Sequence, residues 1–142
     1  MALPRKKLRE IALQILFCHD FASGFEEELI PFLMKELSVT KKGVKEASQI
    51  ALAIFERRAQ FDAFIEKYSL EYGLERIPKM EKNIMRLALF ELFEVPEIPP
   101  KSTISEAVRL TRKFATRDSA RFVNAVLDAI YKDESASAPL CC

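Results

Sequence analysis

A chain of 142 residues, 49% hydrophobic and 30% charged with only three glycines, is long enough for one globular core and too poor in glycine for a loop-rich β fold. Three cysteines, two of them at the extreme end, and a single histidine exclude a disulfide framework and leave no Cys-x-x-Cys spacing for zinc, so a reducing cytoplasm is the expected setting. The formal charge of +1 excludes a uniformly basic protein; no apolar run nears the ~18 residues of a membrane span, and no secretory apolar segment follows the N-terminal charges.

Helical spacing then dominates from one end to the other. Leu8, Ile11, Ala12, Ile15 and Leu16 form one face of a first helix, and Leu13, Phe17 and Phe21 a second apolar stripe on it. A helix apolar on two sides is buried on both, or buried on one and docked to a partner on the other. Residues 25–37 read as a second helix, with Glu26, Glu27 and Glu28 in the first turn, where the helix dipole favours them. Thr40 precedes a third, whose face is Val44, Ala47, Ala51, Ile54 and Phe55. Phe61, Phe64, Ile65 and Tyr68 mark a fourth, ending near Gly73; the polar stretch 56–60 leaves open whether the third and fourth are continuous or kinked. Pro78 suits the first turn of a fifth helix, with Met80, Ile84, Leu87, Ala88 and Leu92 as its face and Pro96 as its stop. Pro99-Pro100 reads as an extended link, followed by Thr103 and Glu106 as the capping box of a sixth helix. Its face is Ile104, Ala107, Val108, Thr111, Phe114 and Ala115. Asp118 reads as the N-cap of a seventh, running to about Lys132 with Phe122, Val126, Ala129 and Ile130 inward. No segment alternates as a strand does, so the expected class is all-α with about seven helices. Residues 134–142 lack a pattern and are expected to form a disordered tail.

No P-loop, nucleophile elbow or dinucleotide fingerprint is present, and the carboxylates sit at helix starts and on solvated faces. The chain therefore reads as a non-enzyme, without cofactor or metal, and His19 as a packed or surface histidine. The near-neutral total hides two basic regions. Residues 1–10 carry Arg5, Lys6, Lys7 and Arg9 against Glu10; residues 101–121 carry Lys101, Arg109, Arg112, Lys113, Arg117 and Arg121 against Glu106 and Asp118. Arg109, Arg112 and Lys113 are spaced to share the outer face of the sixth helix. Arg117 and Arg121 flank the start of the seventh, whose free N–H groups also favour anions. Phe122 is either a core residue or a ring for base stacking, and Asp118 either a cap or an acceptor from base amino groups, two roles that are compatible. Cations, aromatics and polar groups at helix ends suit single-stranded RNA better than duplex DNA, for which no recognition helix is evident.

Residues 98–130 and the run Met80-Glu81-Lys82-Asn83-Ile84-Met85-Arg86-Leu87-Ala88-Leu89-Phe90-Glu91-Leu92, with the opening Arg5-Lys6-Lys7-Leu8-Arg9-Glu10 followed by Ala12, Gln14 and Phe17, resemble the bacterial NusB family of transcription antitermination factors over residues 3–132. The resemblance implies two small helical bundles packed as one RNA-binding domain, residues 1–133, with sub-bundles of about 1–58 and 59–133. It implies binding to the boxA element of ribosomal RNA precursor transcripts, together with NusE, a small-subunit ribosomal protein, in an antitermination complex on RNA polymerase. By that resemblance Arg5, Lys6, Lys7, Arg9 and Gln14 face RNA from the first helix, and Asp118, Arg121 and Phe122 from the start of the seventh. Phe17 and Glu81 match partner-binding positions, and a homodimer of the free protein is kept as an alternative use of the partner surface. Ser105 stands where the family usually has Asn, Ala115 and Ala125 where it has Gly, and Ile77 where it tends to offer a polar cap. Ala115 matters most, because a helix C-cap prefers glycine for its left-handed conformation.

Two other readings belong to different classes. One is the accessory domain of an RNA methyltransferase, which shares this fold but requires an attached cofactor domain; a chain ending at Cys142 argues against it. The other is a protein-interaction module that has lost RNA binding, in which the basic cluster should be eroded.

Overall fold

The structure, a computed structural model, describes residues 4–21 and 40–137. The second expected helix (25–37) and the terminal cysteines lie outside the described residues. Among the described residues there are six α-helices and no strand: α1 (Arg5–Phe21), α2 (Lys41–Glu56), α3 (Arg58–Tyr68), α4 (Lys79–Glu94), α5 (Pro100–Phe114) and α6 (Arg117–Ser137), with a 3₁₀ turn at Leu74–Arg76. The all-α class is the one the periodicity predicts. None of these helices is long and apolar enough to cross a membrane. The chain divides into two compact units, Met1–Glu56 and Arg57–Cys142.

In the first unit α1 packs on α2. Ile11, Ala12, Ile15 and Leu16 of α1 are buried, as are Val44, Ala47, Ala51 and Ile54 of α2, so both sequence-derived faces are inward. Removing a branched side chain such as Ile54 from such a face costs about 2–5 kcal/mol. Thr40 caps α2: the Gly43 N–H donates to Thr40 Oγ1 at 3.1 Å. Of the second stripe on α1, Leu13 is also fully buried and Phe17 half-buried. The ring of His19 lies 5.4 Å from that of Phe55, a packed histidine. Burial pushes the Cys18 thiol above its ordinary pKa, which disfavours the reactive thiolate.

The second unit is a four-helix arrangement in which α4 touches α3, α5 and α6, while α6 also packs on α3 and α5. The third and fourth expected helices are separate, with Arg57 in a turn between α2 and α3. α4 is buried on nearly every side, not on one apolar face: Glu81, Asn83, Arg86 and Glu91 are inside along with Ile84, Met85, Leu87, Ala88, Leu89 and Leu92. Each buried charge of α4 meets a partner on a different helix. Arg86 donates to both carboxylate oxygens of Asp62 on α3, at 2.7 Å each, and to Asn83 Oδ1 at 2.9 Å. Thr103 Oγ1 on α5 donates to Glu91 at 3.0 Å, and Ser119 Oγ on α6 donates to Glu81 at 2.9 Å. A buried charge without a partner costs several kcal/mol, so these bonds are what permit a polar helix to occupy the centre.

Three helix ends differ from expectation. α5 begins at Pro100, before the expected capping box, because the fixed φ of a proline suits the first helical position. Thr103 is therefore already inside the first turn, 2% exposed and bonded to Glu91, while Glu106 pairs with Arg109 at 2.9 Å. α6 is capped by Thr116, not Asp118: Thr116 Oγ1 accepts from the Ser119 N–H at 3.0 Å and its carbonyl from the Ala120 N–H at 3.0 Å. α6 also continues past Lys132 to Ser137. Its extra turn is held by Glu134, which accepts from Tyr68 Oη at 2.8 Å, and by the Lys132–Asp128 pair one turn apart at 2.9 Å. Ala115 has a φ of −136°, so the left-handed conformation that favours glycine at a helix C-terminus is not adopted here. Ile77 is 3% exposed, and α4 starts after Pro78 without a side-chain cap bond.

Candidate nucleic-acid interface

Each unit carries a share of the expected site. In the first, Pro4 precedes α1, and the helix opens with Arg5 and Lys6 exposed and Lys7 half-exposed. No acidic residue occupies this first turn, so no carboxylate of the turn opposes the cations at a helix start that itself favours anions. Gln14 is half-exposed two turns on. Arg9 departs from the expectation of an open donor: it is only 7% exposed and has interactions of its own.

In the second unit, the start of α6 faces a groove of about 740 Å³. Pro78, just before α4, and Glu81 of α4 line it, with Asp118, Ser119, Arg121 and Phe122 of α6. Asp118, Arg121 and Phe122, singled out from sequence as one site, are thus brought together with Glu81. Asp118 and Arg121 are exposed and make no hydrogen bond or ion pair among the described residues, so their polar atoms face solvent. Asp118 sits in the first turn, where the dipole of α6 favours its negative charge whatever it faces. Glu81 is 6% exposed and engaged by Ser119, so only the rim of its carboxylate reaches the groove.

Phe122 resolves an ambiguity left by the spacing. It is half-buried, and its ring meets the edge of Tyr72 at a centroid distance of 5.4 Å and an interplanar angle of 75°. That edge-to-face pair holds Phe122 at the groove wall. Tyr72 and Arg76, which share the groove, belong to the irregular segment between α3 and α4 and were not singled out in sequence. Their signal was faint: an aromatic and a leucine in an otherwise polar loop ending at Gly73. Tyr72 is 42% exposed and Leu70 93% exposed, which the burial of apolar surface does not explain. The Ser69 hydroxyl donates to the Tyr72 carbonyl at 2.6 Å and tightens that loop.

The groove therefore combines guanidinium donors (Arg76, Arg121), aromatic edges and faces (Tyr72, Phe122) and carboxylate acceptors (Asp118 and Glu71, with Glu81 nearly buried). Donors of that kind bind phosphate, rings stack on bases, and a carboxylate accepts from base amino groups. No group of three or more His, Cys, Asp or Glu side chains suited to a metal is found among the described residues. Phe17, expected at a partner surface, is half-buried on α1.

A protein-family model described as the NusB family matches residues 6–132. The transcription antitermination protein NusB of Chlamydia pneumoniae is 36% identical over 132 residues, covering 93% of this chain and 82% of the relative. The solved NusB of T. maritima is 31% identical, with a TM-score of 0.77 and 94% of each chain covered. A crystal structure of the antitermination factors NusB and NusE in complex with double-stranded RNA contains a chain 27% identical to this one, with a TM-score of 0.76, covering 92% of this chain and 97% of that one.

Proposed function

The chain belongs to the NusB family, and from that premise we propose that it is a transcription antitermination factor that binds boxA-type single-stranded RNA of ribosomal RNA precursor transcripts together with a NusE-like ribosomal protein. The observation that carries the RNA reading is the groove at the start of α6. There Asp118 and Arg121 make no hydrogen bond or ion pair among the described residues and lie beside the Phe122 and Tyr72 rings, an arrangement that a packed core has no use for.

In this account Arg5, Lys6 and Lys7 supply phosphate contacts from α1 and Gln14 a neutral hydrogen bond. Arg9, nearly buried, steadies the helix start and adds to its field. Arg121 contacts phosphate or a base edge, Asp118 accepts from base amino groups, and Phe122 offers the open part of its half-buried ring to a base. Residues 1–133 act as one RNA-binding domain, in the cytoplasm, and the RNA–protein assembly joins an antitermination complex on RNA polymerase. Phe17 and Glu81 belong to the partner surface; when the partner is absent, the same surface is available for a homodimer. Because Glu81 is nearly buried, it acts there chiefly by fixing Ser119 and the α6 start.

The test is a titration of labelled boxA-type RNA with the protein alone and with the NusE-like partner. The proposal expects weak binding alone, tighter binding with the partner, and a steep fall in affinity with salt as phosphate contacts release counterions. Equal affinity for boxA-type and scrambled RNA, with the partner present, contradicts it.

A further inference from the structure

Arg121, which lines the first groove, also lines a second, of about 420 Å³. Its walls are Lys101, Ser105 and Arg112 from α5 and Arg121, Asn124 and Asp128 from α6. Lys101, Arg112 and Arg121 are all exposed, and neither they nor Asn124 make a hydrogen bond or ion pair among the described residues. Neighbouring charges behave otherwise. Arg109, one turn from Arg112, is held by Glu106, and the groove's single carboxylate, Asp128, is neutralised by Lys132 at 2.9 Å. Three cations converge on one concavity whose own carboxylate is paired, which leaves a net positive field that concentrates anions. No aromatic ring lines this groove, so it has nothing on which a base can stack; guanidinium, ammonium, amide and hydroxyl donors suit phosphate and ribose oxygens.

We propose that this second groove, Lys101–Arg112–Asn124, is a sequence-independent backbone track that receives the RNA as it leaves the Asp118–Phe122 groove, with Arg121 as the shared residue between them. This rests on the RNA reading above. It assigns base recognition to the first groove and phosphate binding to the second, and so predicts that nucleotides flanking the recognised element add affinity without adding specificity.

The experiment compares a boxA-type oligonucleotide with the same oligonucleotide extended at both ends by oligo(U), using the full chain at physiological salt, where screening confines charge effects to about 8 Å. Wild-type protein should bind the extended RNA more tightly. In Lys101→Glu/Arg112→Glu the gain from extension should disappear, and the salt slope on extended RNA should fall by about 1.4, or ~0.7 for each of two lost phosphate contacts. Lys101→Arg/Arg112→Lys should retain the gain, and both variants should keep the wild-type helical spectrum because the substituted side chains are exposed. An undiminished gain in the charge-reversed variant overturns the proposal. So does a variant that keeps the gain but loses the NusE-like partner, which would give the surface to an acidic protein segment. Failure of wild-type protein to bind even the unextended RNA overturns the RNA reading itself, and is read separately from the effect of extension.

Discussion

The side chains of Thr116 and Asp118 sit two residues apart and do different work. Thr116 closes the first turn of α6 through the Ser119 N–H, while Asp118 bonds to nothing among the described residues. Thr116→Ala should therefore lower stability by about 1 kcal/mol, the usual worth of a cap, read from a denaturant midpoint. Asp118→Asn should leave stability within about 0.5 kcal/mol, as surface substitutions do, and weaken RNA binding instead. The reverse pattern would return Asp118 to the role of a plain cap. Sequence alone favoured Asp118 because aspartate is a strong N-cap residue and begins the apolar pattern; threonine two positions earlier is as able, and only the backbone path decides between them. Asp118, Arg121 and Phe122 were nonetheless legible as a group, since cations and an aromatic at one helix start exceed what packing requires. Tyr72 and Arg76 were not, because a loop has no periodicity from which exposure can be inferred.

At the scale of the element, α4 organises the second unit through polar bonds to three neighbours. Arg86 is the most exposed to test, since it and Asp62 share two 2.7 Å bonds with side chains 7% and 17% accessible. Arg86→Met strands the Asp62 carboxylate and should cost about 3–5 kcal/mol, whereas adding Asp62→Leu should recover much of that loss. A denaturation series in which the double variant is no better than the single would show that the pair is not what holds α3 to α4. Periodicity identified the apolar residues of α4 but could not reveal that Glu81, Arg86 and Glu91 are inside, because a buried charge and a solvated one look alike until their partners are placed. The end of α6 offers a pH test. Desolvation, reinforced by its hydrogen bond to Glu134, holds the Tyr68 phenol above the ordinary value near 10. A proton held more tightly in the folded state means that this stabilisation is fully present below pH ~10 and is lost as the pH rises through the folded value. Ultraviolet titration should show one late phenol that Tyr68→Phe removes; a titration unchanged by that substitution would disconnect Tyr68 from Glu134.

For the whole molecule, the helical class and the inward faces of α1 and α2 follow from apolar spacing, and the family follows from the order and spacing of motifs along nearly the full chain. The distribution of charge is what a net value of +1 conceals: cations open α1 in one unit and gather around α6 in the other. The account's central claim is that both sets act on one RNA. It is tested by titrating a single boxA-type oligonucleotide, with the NusE-like partner present, against wild-type protein, Lys6→Ala/Lys7→Ala in the first unit and Arg121→Ala in the second. Each variant should keep the wild-type helical spectrum and weaken the same RNA. Arg121→Ala should cost on the order of 1–3 kcal/mol where it reads a base, and the salt slope should fall by ~0.7 for each phosphate contact removed. RNA affinity left unchanged after the cations of either unit are removed would contradict the claim that both sets act on one RNA.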